Sequence, residues 1–260
     1  MLRVRFITAL ILAPIILGSI VYGNWAVVAV VLLVVIARAA QELARALDKL
    51  PFVAAFGAGS LPLLLSIPYG TSGALASIFL SLPWSLLWLL GYPEARTLRA
   101  LLALLLMTLW VGAPLAHLGL MQDLEPDGRY LVLIAVVGPW ISDAGAYFAG
   151  RFFGRHPLFP TLSPKKTVEG GFGGLLVTVV VVGYFTHTLL GFGAFEATLW
   201  GVVISILSQA GDLFESVLKR LLELKDLGRA LPGHGGILDR VDSMLFTAPA
   251  VYYLYVLSSP

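Results

Sequence analysis

Hydrophobic residues along this chain come in long runs, broken by short clusters of Gly, Pro and charge. A membrane-spanning helix needs about 20 mostly apolar residues. The punctuation divides the sequence into nine such runs, near 6–22, 25–40, 52–68, 73–90, 100–121, 130–149, 171–190, 196–214 and 241–258. Several are short or carry proline, as in "LPLLLSIP", so tilted or re-entrant segments are compatible with the pattern. The pattern predicts an all-α, polytopic membrane bundle of about nine helices. No internal repeat, low-complexity tract or pair of matching broken helices interrupts it.

Composition strengthens that reading. Hydrophobic residues make up 58% of the 260 residues and charged residues 12%, outside the range of soluble domains. No polar stretch is long enough to fold as a separate soluble domain, so residues 1–260 are expected to form a single membrane-embedded domain. The opening "MLRVRFITALILAPIILGSIVYG", with Arg3 and Arg5, has signal-peptide character, but a second apolar run follows at once and it reads as a retained first span.

The charges then orient the bundle. With the N-terminus in the cytoplasm, one face receives Arg3, Arg5, Arg38, Arg45, Lys49, Arg96, Arg99, Arg151, Arg155, Lys165, Lys166, Lys219, Arg220, Lys225, Arg229 and Arg240, and only Arg129 falls on the other. This is the positive-inside asymmetry. A net charge of +2 gives no bulk argument for nucleic acid, and the absence of cysteine excludes disulfides and thiolate metal sites. Chemistry must rest on carboxylates, histidine and phosphate-type ligands.

Polar residues gather in three blocks, all on the cytoplasmic side of this topology. The first, "WISDAGAYFAGRFFGR", puts Asp143 inside the sixth run, where a carboxylate costs several kcal/mol unless it is paired, metal-bound or facing water. Ala144, Gly145, Ala146, Ala149 and Gly150 around it suit close helix packing. Pairing with a helix-end arginine is the alternative to a functional role. In the second, "LSPKKTVEGGFGG", Pro164 stops a preceding helix, Lys165 and Lys166 supply cations, and Thr167 with the glycines leaves N–H groups free at a helix entrance, which suits phosphate. A plain topology signal or lipid-headgroup contact is the competing reading.

The third block runs from "SQAGDLFESVLKR" into "KDLGRALPGHGGILDRVDS". Gln209, Asp212, Ser216 and Lys219 recur at helical spacing, with Ser205 and Glu215 beside them, so a polar stripe leaves the bilayer. Gly233, Gly235 and Gly236 form a loop around His234. Asp239 and Asp242 then share a face at the start of the last helix. Helix capping would account for one aspartate. The topology, however, puts Asp143, Asp212, Asp239 and Asp242 in one membrane layer. Carboxylates without matching cations suggest a hard divalent ion, Mg²⁺ before Ca²⁺, with surrounding Lys and Arg holding an anionic substrate.

The stretch Ser216 to Asp242, "SVLKRLLELKDLGRALPGHGGILDRVD", resembles the signature of the phosphatidate cytidylyltransferases (CDP-diacylglycerol synthases). That pattern runs Ser-x-hydrophobic-Lys-Arg, four residues, Lys-Asp, then His-Gly-Gly-hydrophobic-x-Asp-Arg-hydrophobic-Asp, and every specified position matches. "SDAGAYFAGRFFG" and "SPKKTVEGGFGG" also resemble family blocks, in the expected order. Over the first half only length, hydrophobicity and "QEL" at Gln41–Leu43 agree.

The resemblance implies transfer of a cytidylyl group from CTP to phosphatidic acid, giving CDP-diacylglycerol and pyrophosphate with Mg²⁺ or a similar ion. It implies a metal role for Asp212, Asp239 and Asp242, with Asp143 as a further candidate, and phosphate contacts for Lys165, Lys166, Lys219, Arg220 and Arg240. His234 would hydrogen-bond a phosphate or orient a carboxylate. Lys225 and Asp226 join the expected catalytic set; Asp143, Tyr147, Arg151, Ser163, Thr167, Glu169, Gly170, Ser216, Gly235 and Gly236 join the expected substrate-binding set. CTP, phosphatidic acid and membrane lipids are the expected partners, with no nucleic acid and with a homodimer left open. The expected location is the bacterial inner membrane, with the site facing the cytoplasm. A CTP-dependent polyprenol-type lipid kinase would share the same basic and acidic loops. A transporter would hold its carboxylates nearer the midplane.

Overall fold

Long apolar runs become helices because a backbone in hydrocarbon must satisfy its own hydrogen bonds. The computed structural model describes residues 18–19, 22–46, 50–224, 227–228 and 235–258. The expected first span, 6–22, lies almost wholly outside them. Six of the described helices are long and apolar enough to cross a membrane by length and composition, and the protein is a helical membrane bundle.

The chain divides into two compact units, Met1–Asp123 with Lys225–Val241, and Leu124–Leu224 with Asp242–Pro260. In the first, α1 (Trp25–Ala46) begins where the Asn24 side chain accepts the Val27 N–H at 3.1 Å. It buries Val28, Leu32, Ile36, Ala39 and Leu43 on one face while Val27, Val30 and Val34 stay exposed. Apolar residues on both faces are what lipid contact requires.

Helix α2 (Phe52–Gly91) contains the two runs expected at 52–68 and 73–90, joined through non-helical backbone at Gly70. With φ 56° and ψ −139°, Gly70 adopts a conformation that a Cβ would oppose. The two arms fold back on each other. Trp84 Nε1 donates to the Ala54 carbonyl at 3.2 Å, whereas a straight helix would hold residues so spaced about 45 Å apart. Along the arms, Ser66, Ser77, Ser81 and Ser85 are buried, and each donates its hydroxyl to a carbonyl three or four residues back.

Helix α3 (Leu98–Gln122) starts at a Thr97 cap, whose side chain accepts the Ala100 N–H at 3.1 Å, and widens to a π turn over Met107–Gly112. Here it touches α2 backbone to backbone. A Cβ on Gly112 would strike the Gly59 carbonyl, and Thr108 Oγ1 donates to Ala58 O at 3.0 Å.

The second unit holds α4 (Gly128–Phe153), a short antiparallel hairpin of β1 (Pro157–Phe159) and β2 (Ser163–Thr167), α5 (Val168–Leu190), α6 (Ala194–Leu221) and most of α7 (Leu238–Ser258). The hairpin corrects one expectation. Pro164 does not end a helix but sits in β2, an edge strand where its fixed φ fits and its missing N–H is not required. Glycines set the spacing of α4 and α5. A Cβ on Gly145 would lie 2.9 Å from Val177 Cβ, and one on Gly174 2.9 Å from the Ser142 carbonyl. The small residues of "SDAGAYFAG" thus serve close packing, as their pattern predicts. Helices α1, α4 and α6 outlast their apolar runs because Arg45, Arg151, Lys219 and Arg220 continue the turn beyond the apolar stretch.

Candidate functional site

The polar stripe on α6 finds its partners in α4 and α5. Ser205 Oγ and Ser142 Oγ lie 3.2 Å apart, both buried, and Gln209 Nε2 donates to Ser205 Oγ at 3.1 Å and to the Gly171 carbonyl at 3.3 Å. Hydroxyls and amides that would be costly alone in hydrocarbon satisfy one another across the three helices. One turn further, the stripe becomes charged.

There Asp212, Glu215 and Asp242 converge, each offering one carboxylate oxygen, all within 4.8 Å of one another. Asp212 and Glu215 share a face of α6 at i and i+3. Asp242 arrives from α7, which approaches because residue 211 is glycine: a Cβ there would stand 2.6 Å from the Asp242 carbonyl oxygen and 2.9 Å from Ser243 Cα. Glu215 is only 2% exposed and Asp242 8%. At this separation two like charges repel by about 3–4 kcal/mol at an effective dielectric of 20.

Among the described residues, two ammonium groups form ion pairs with these carboxylates. Lys219 Nζ reaches Glu215 Oε2 at 2.6 Å from one turn along α6, and Lys166 on β2 forms an ion pair with Asp212. The β-hairpin therefore has a structural purpose, since it carries Lys166 back over the entrance of α5 to the acidic group. A donor set of carboxylate oxygens alone, with anion-binding lysines beside it, fits a hard divalent ion such as Mg²⁺.

Of the residues expected from sequence, the structure brings together Lys166, Asp212, Lys219 and Asp242. It adds Glu215, which the i, i+3 spacing from Asp212 could have disclosed. Asp143 is exposed on α4, and among the described residues the converging group does not include it. Asp239 serves a turn, where its Oδ2 accepts the Gly236 N–H at 2.7 Å and Gly235 takes a positive φ of 82°.

The remaining expected residues are spread around this centre. Lys165, Arg220 and Arg240 are exposed, and Ser163 and Ser216 are half-buried. Arg151 donates to the Tyr147 hydroxyl at 3.1 Å. Thr167 caps α5 by accepting the Gly170 N–H at 3.1 Å, and Gly170 keeps α5 close to the Ala146 carbonyl. Glu169 clamps the loop after α4, accepting from the Arg155 and His156 N–H groups at 3.1 and 3.3 Å and from His156 Nδ1 at 2.6 Å. Lys225, Asp226 and His234 lie outside the described residues.

This order of blocks is shared with known proteins. The pattern of the cytidylyltransferase family matches residues 3–258, nearly the whole chain. The chain belongs to the cytidylyltransferase family. Within that family it is 43% identical over 135 residues to the phosphatidate cytidylyltransferase of Staphylococcus haemolyticus, a stretch covering 50% of each chain. It is 39% identical over 155 residues to the phosphatidate cytidylyltransferase of Bacillus subtilis, covering 59% of this chain and 58% of that one. By these alignments the chain spans about half the length of the curated relatives it matches.

Proposed function

We propose that the protein transfers the cytidylyl group of CTP to phosphatidic acid, releasing pyrophosphate and forming CDP-diacylglycerol. The observation that carries this reading is the converging group of Asp212, Glu215 and Asp242 with Lys166 and Lys219 against it, in a chain that matches a cytidylyltransferase family along its length. A phosphate oxygen of phosphatidic acid would attack the α-phosphorus of CTP. The new oxygen–phosphorus bond forms as the bond from the α-phosphorus to the bridging oxygen breaks, and pyrophosphate leaves with that electron pair. No general base is required, because the attacking phosphate is already an anion.

The work left to the protein is positioning and charge neutralisation. Asp212, Glu215 and Asp242 would hold Mg²⁺, which supplies charge neutralisation at the phosphates when bound. Lys166 and Lys219, already held within ion-pair reach of the carboxylates, would turn to the phosphate oxygens as substrate enters. On this reading Asp239 supports the start of α7, and His234 would hydrogen-bond a phosphate or orient a carboxylate.

One assay tests the function directly. Purified protein in detergent is given labelled CTP, phosphatidic acid and Mg²⁺, and the lipid phase is examined for cytidine. A cytidine-bearing lipid with stoichiometric pyrophosphate is the expected result. Release of CDP with a phosphorylated lipid would mean a kinase, and no lipid product would defeat the proposal.

The two adjacent lysines are expected to behave differently. Lys166→Ala should reduce kcat/KM about ten- to hundredfold, the value of a charge-assisted contact of roughly 1.5–3 kcal/mol, because Lys166 faces Asp212. Lys165→Ala should change it less than about threefold, because Lys165 is exposed on the hairpin. Steady-state kinetics in mixed micelles, with CTP and lipid varied separately, check this. Equal effects would remove the special role of Lys166.

We also propose that the site faces the cytoplasm from the bacterial inner membrane, on the strength of the positive-inside asymmetry. The chain has no cysteine, so single cysteines report cleanly. Thr161→Cys should react with a membrane-impermeant thiol reagent only from the cytoplasmic side and Asp123→Cys only from outside. Labelling of both from one side would refute this orientation.

A further inference from the structure

A second carboxylate is buried far from the converging group in sequence and has no place in the chemistry above. Glu42, on the apolar helix α1, is 2% exposed. Among the described residues it is held by backbone: Oε1 accepts the Ile237 N–H at 2.6 Å and Oε2 the Leu238 N–H at 3.0 Å. These are the first donors of α7, which helix geometry leaves without partners in the helix itself. The Gly236 N–H goes to Asp239, so two carboxylates take the N–H groups of three successive residues at the entrance of α7, with the helix dipole favouring both.

The glycines of the same segment are fitted to this carboxylate. A Cβ on Gly236 would stand 2.6 Å from Glu42 Oε2, and one on Gly228 would collide with the same carboxyl group. Leu227 and Leu238 are buried beside it. Both ends of the 228–236 segment therefore rest on one side chain, and residues 229–234 lie between them. α7 is a continuous helix from Leu238, so the setting of its first turn fixes the height and azimuth at which Asp242, four residues on, leaves the helix axis.

We propose that Glu42 is a positioning residue, whose two hydrogen bonds to Ile237 and Leu238 anchor the start of α7 and so set the position of Asp242. A buried carboxylate on an apolar helix is costly, and these two backbone donors compensate it at the place where α7 starts. The consequence for turnover rests on the cytidylyl-transfer reading; the anchoring itself does not.

The experiment compares full-length wild type, Glu42→Gln and Glu42→Asp in detergent by hydrogen exchange over residues 236–244 and by kinetics at varied Mg²⁺. Gln replaces one acceptor by a donor, whereas Asp keeps the charge and both acceptors on a shorter stem. In Glu42→Gln the 236–244 segment should exchange about tenfold faster with 128–190 unchanged. Its kcat should fall about tenfold or more and its half-saturating Mg²⁺ should rise, while KM for CTP moves less than about threefold. Glu42→Asp should recover part of each change, and it carries the test should the Gln variant not fold.

Wild-type exchange in the variants would overturn the anchor. Faster exchange with unaltered kcat and Mg²⁺ dependence would make Glu42 a mere prop and overturn the positioning role. Should the wild type produce no cytidine lipid, the functional reading fails, and Mg²⁺-induced protection of 236–244 decides the inference alone. Protection that is strong in wild type and weak in Glu42→Gln supports it; equal protection overturns it.

Discussion

Asp242→Asn and Asp212→Asn are each expected to abolish measurable cytidylyl transfer, a loss of about a thousandfold or more, while the protein stays folded and membrane-inserted. Asparagine keeps the size of aspartate and removes its charge. The three carboxylate oxygens within 4.8 Å repel one another, so deleting one charge relieves the folded state. Thermal stability in detergent should hold steady or rise as activity disappears, which is the signature of a strained functional group. A loss of about 4 kcal/mol of transition-state stabilisation is of the size metal-assisted charge neutralisation provides. The measurement pairs initial rates over a Mg²⁺ titration with tryptophan-fluorescence melting. Near-normal rates in both variants would show that the converging carboxylates are not the reaction centre.

Gly211→Val should be nearly as damaging, by a different route. Its Cβ would lie 2.6 Å from the Asp242 carbonyl oxygen and 2.9 Å from Ser243 Cα. Both obstacles are backbone, so no side chain can swing aside. Overpacking of this kind costs about 1–3 kcal/mol, and relieving it means parting α6 from α7. The carboxylates of the two helices then separate by a fraction of an ångström to about 1 Å, a misplacement worth roughly a hundredfold in rate. A lowered melting temperature together with reduced kcat is expected. Gly91→Ala, where nothing lies within 4 Å, is the matched control and should leave both unchanged. A Gly211→Val protein as active as Gly91→Ala would mean that the close approach of α6 and α7 is dispensable.

Much of this is legible in the sequence. The apolar runs locate the helices, because in lipid length and hydropathy alone nearly determine where a helix can exist. The ends were less legible: α4 continues to Phe153 and α6 to Leu221, since polar residues extend a helix without contributing to an apolar run. At the site, Asp212, Asp242, Lys166 and Lys219 stood out as charges in or beside hydrocarbon. Glu215 reads in the sequence as one more polar residue of the stripe, and only the fold distinguishes a group facing α7 from one facing solvent.

Asp239 shows the converse. Its spacing from Asp242 points to a shared task, and the fold adds a local one that the spacing does not disclose, since a helix start needs acceptors for its free N–H groups and Asp239 takes the Gly236 N–H. The separation of Lys165 from Lys166 depends on strand alternation, and a proline followed by two lysines gives no sign of a strand. Glu42 could not be paired from sequence with residues 195 and 196 positions away.

The fold-back of α2 at Gly70 bears on how the protein is made. Its two arms emerge from the ribosome one after the other, with their buried serines already bonded to carbonyls of their own helix. These four serines bring no unmet hydroxyl donor into the lipid, so each arm can leave the translocon before its neighbours exist. The turn then returns the chain to the face it entered from. Such a pair can settle in the bilayer as a finished unit, ready for the later helices, and the polar seam of α4, α5 and α6 must wait for all three of its members.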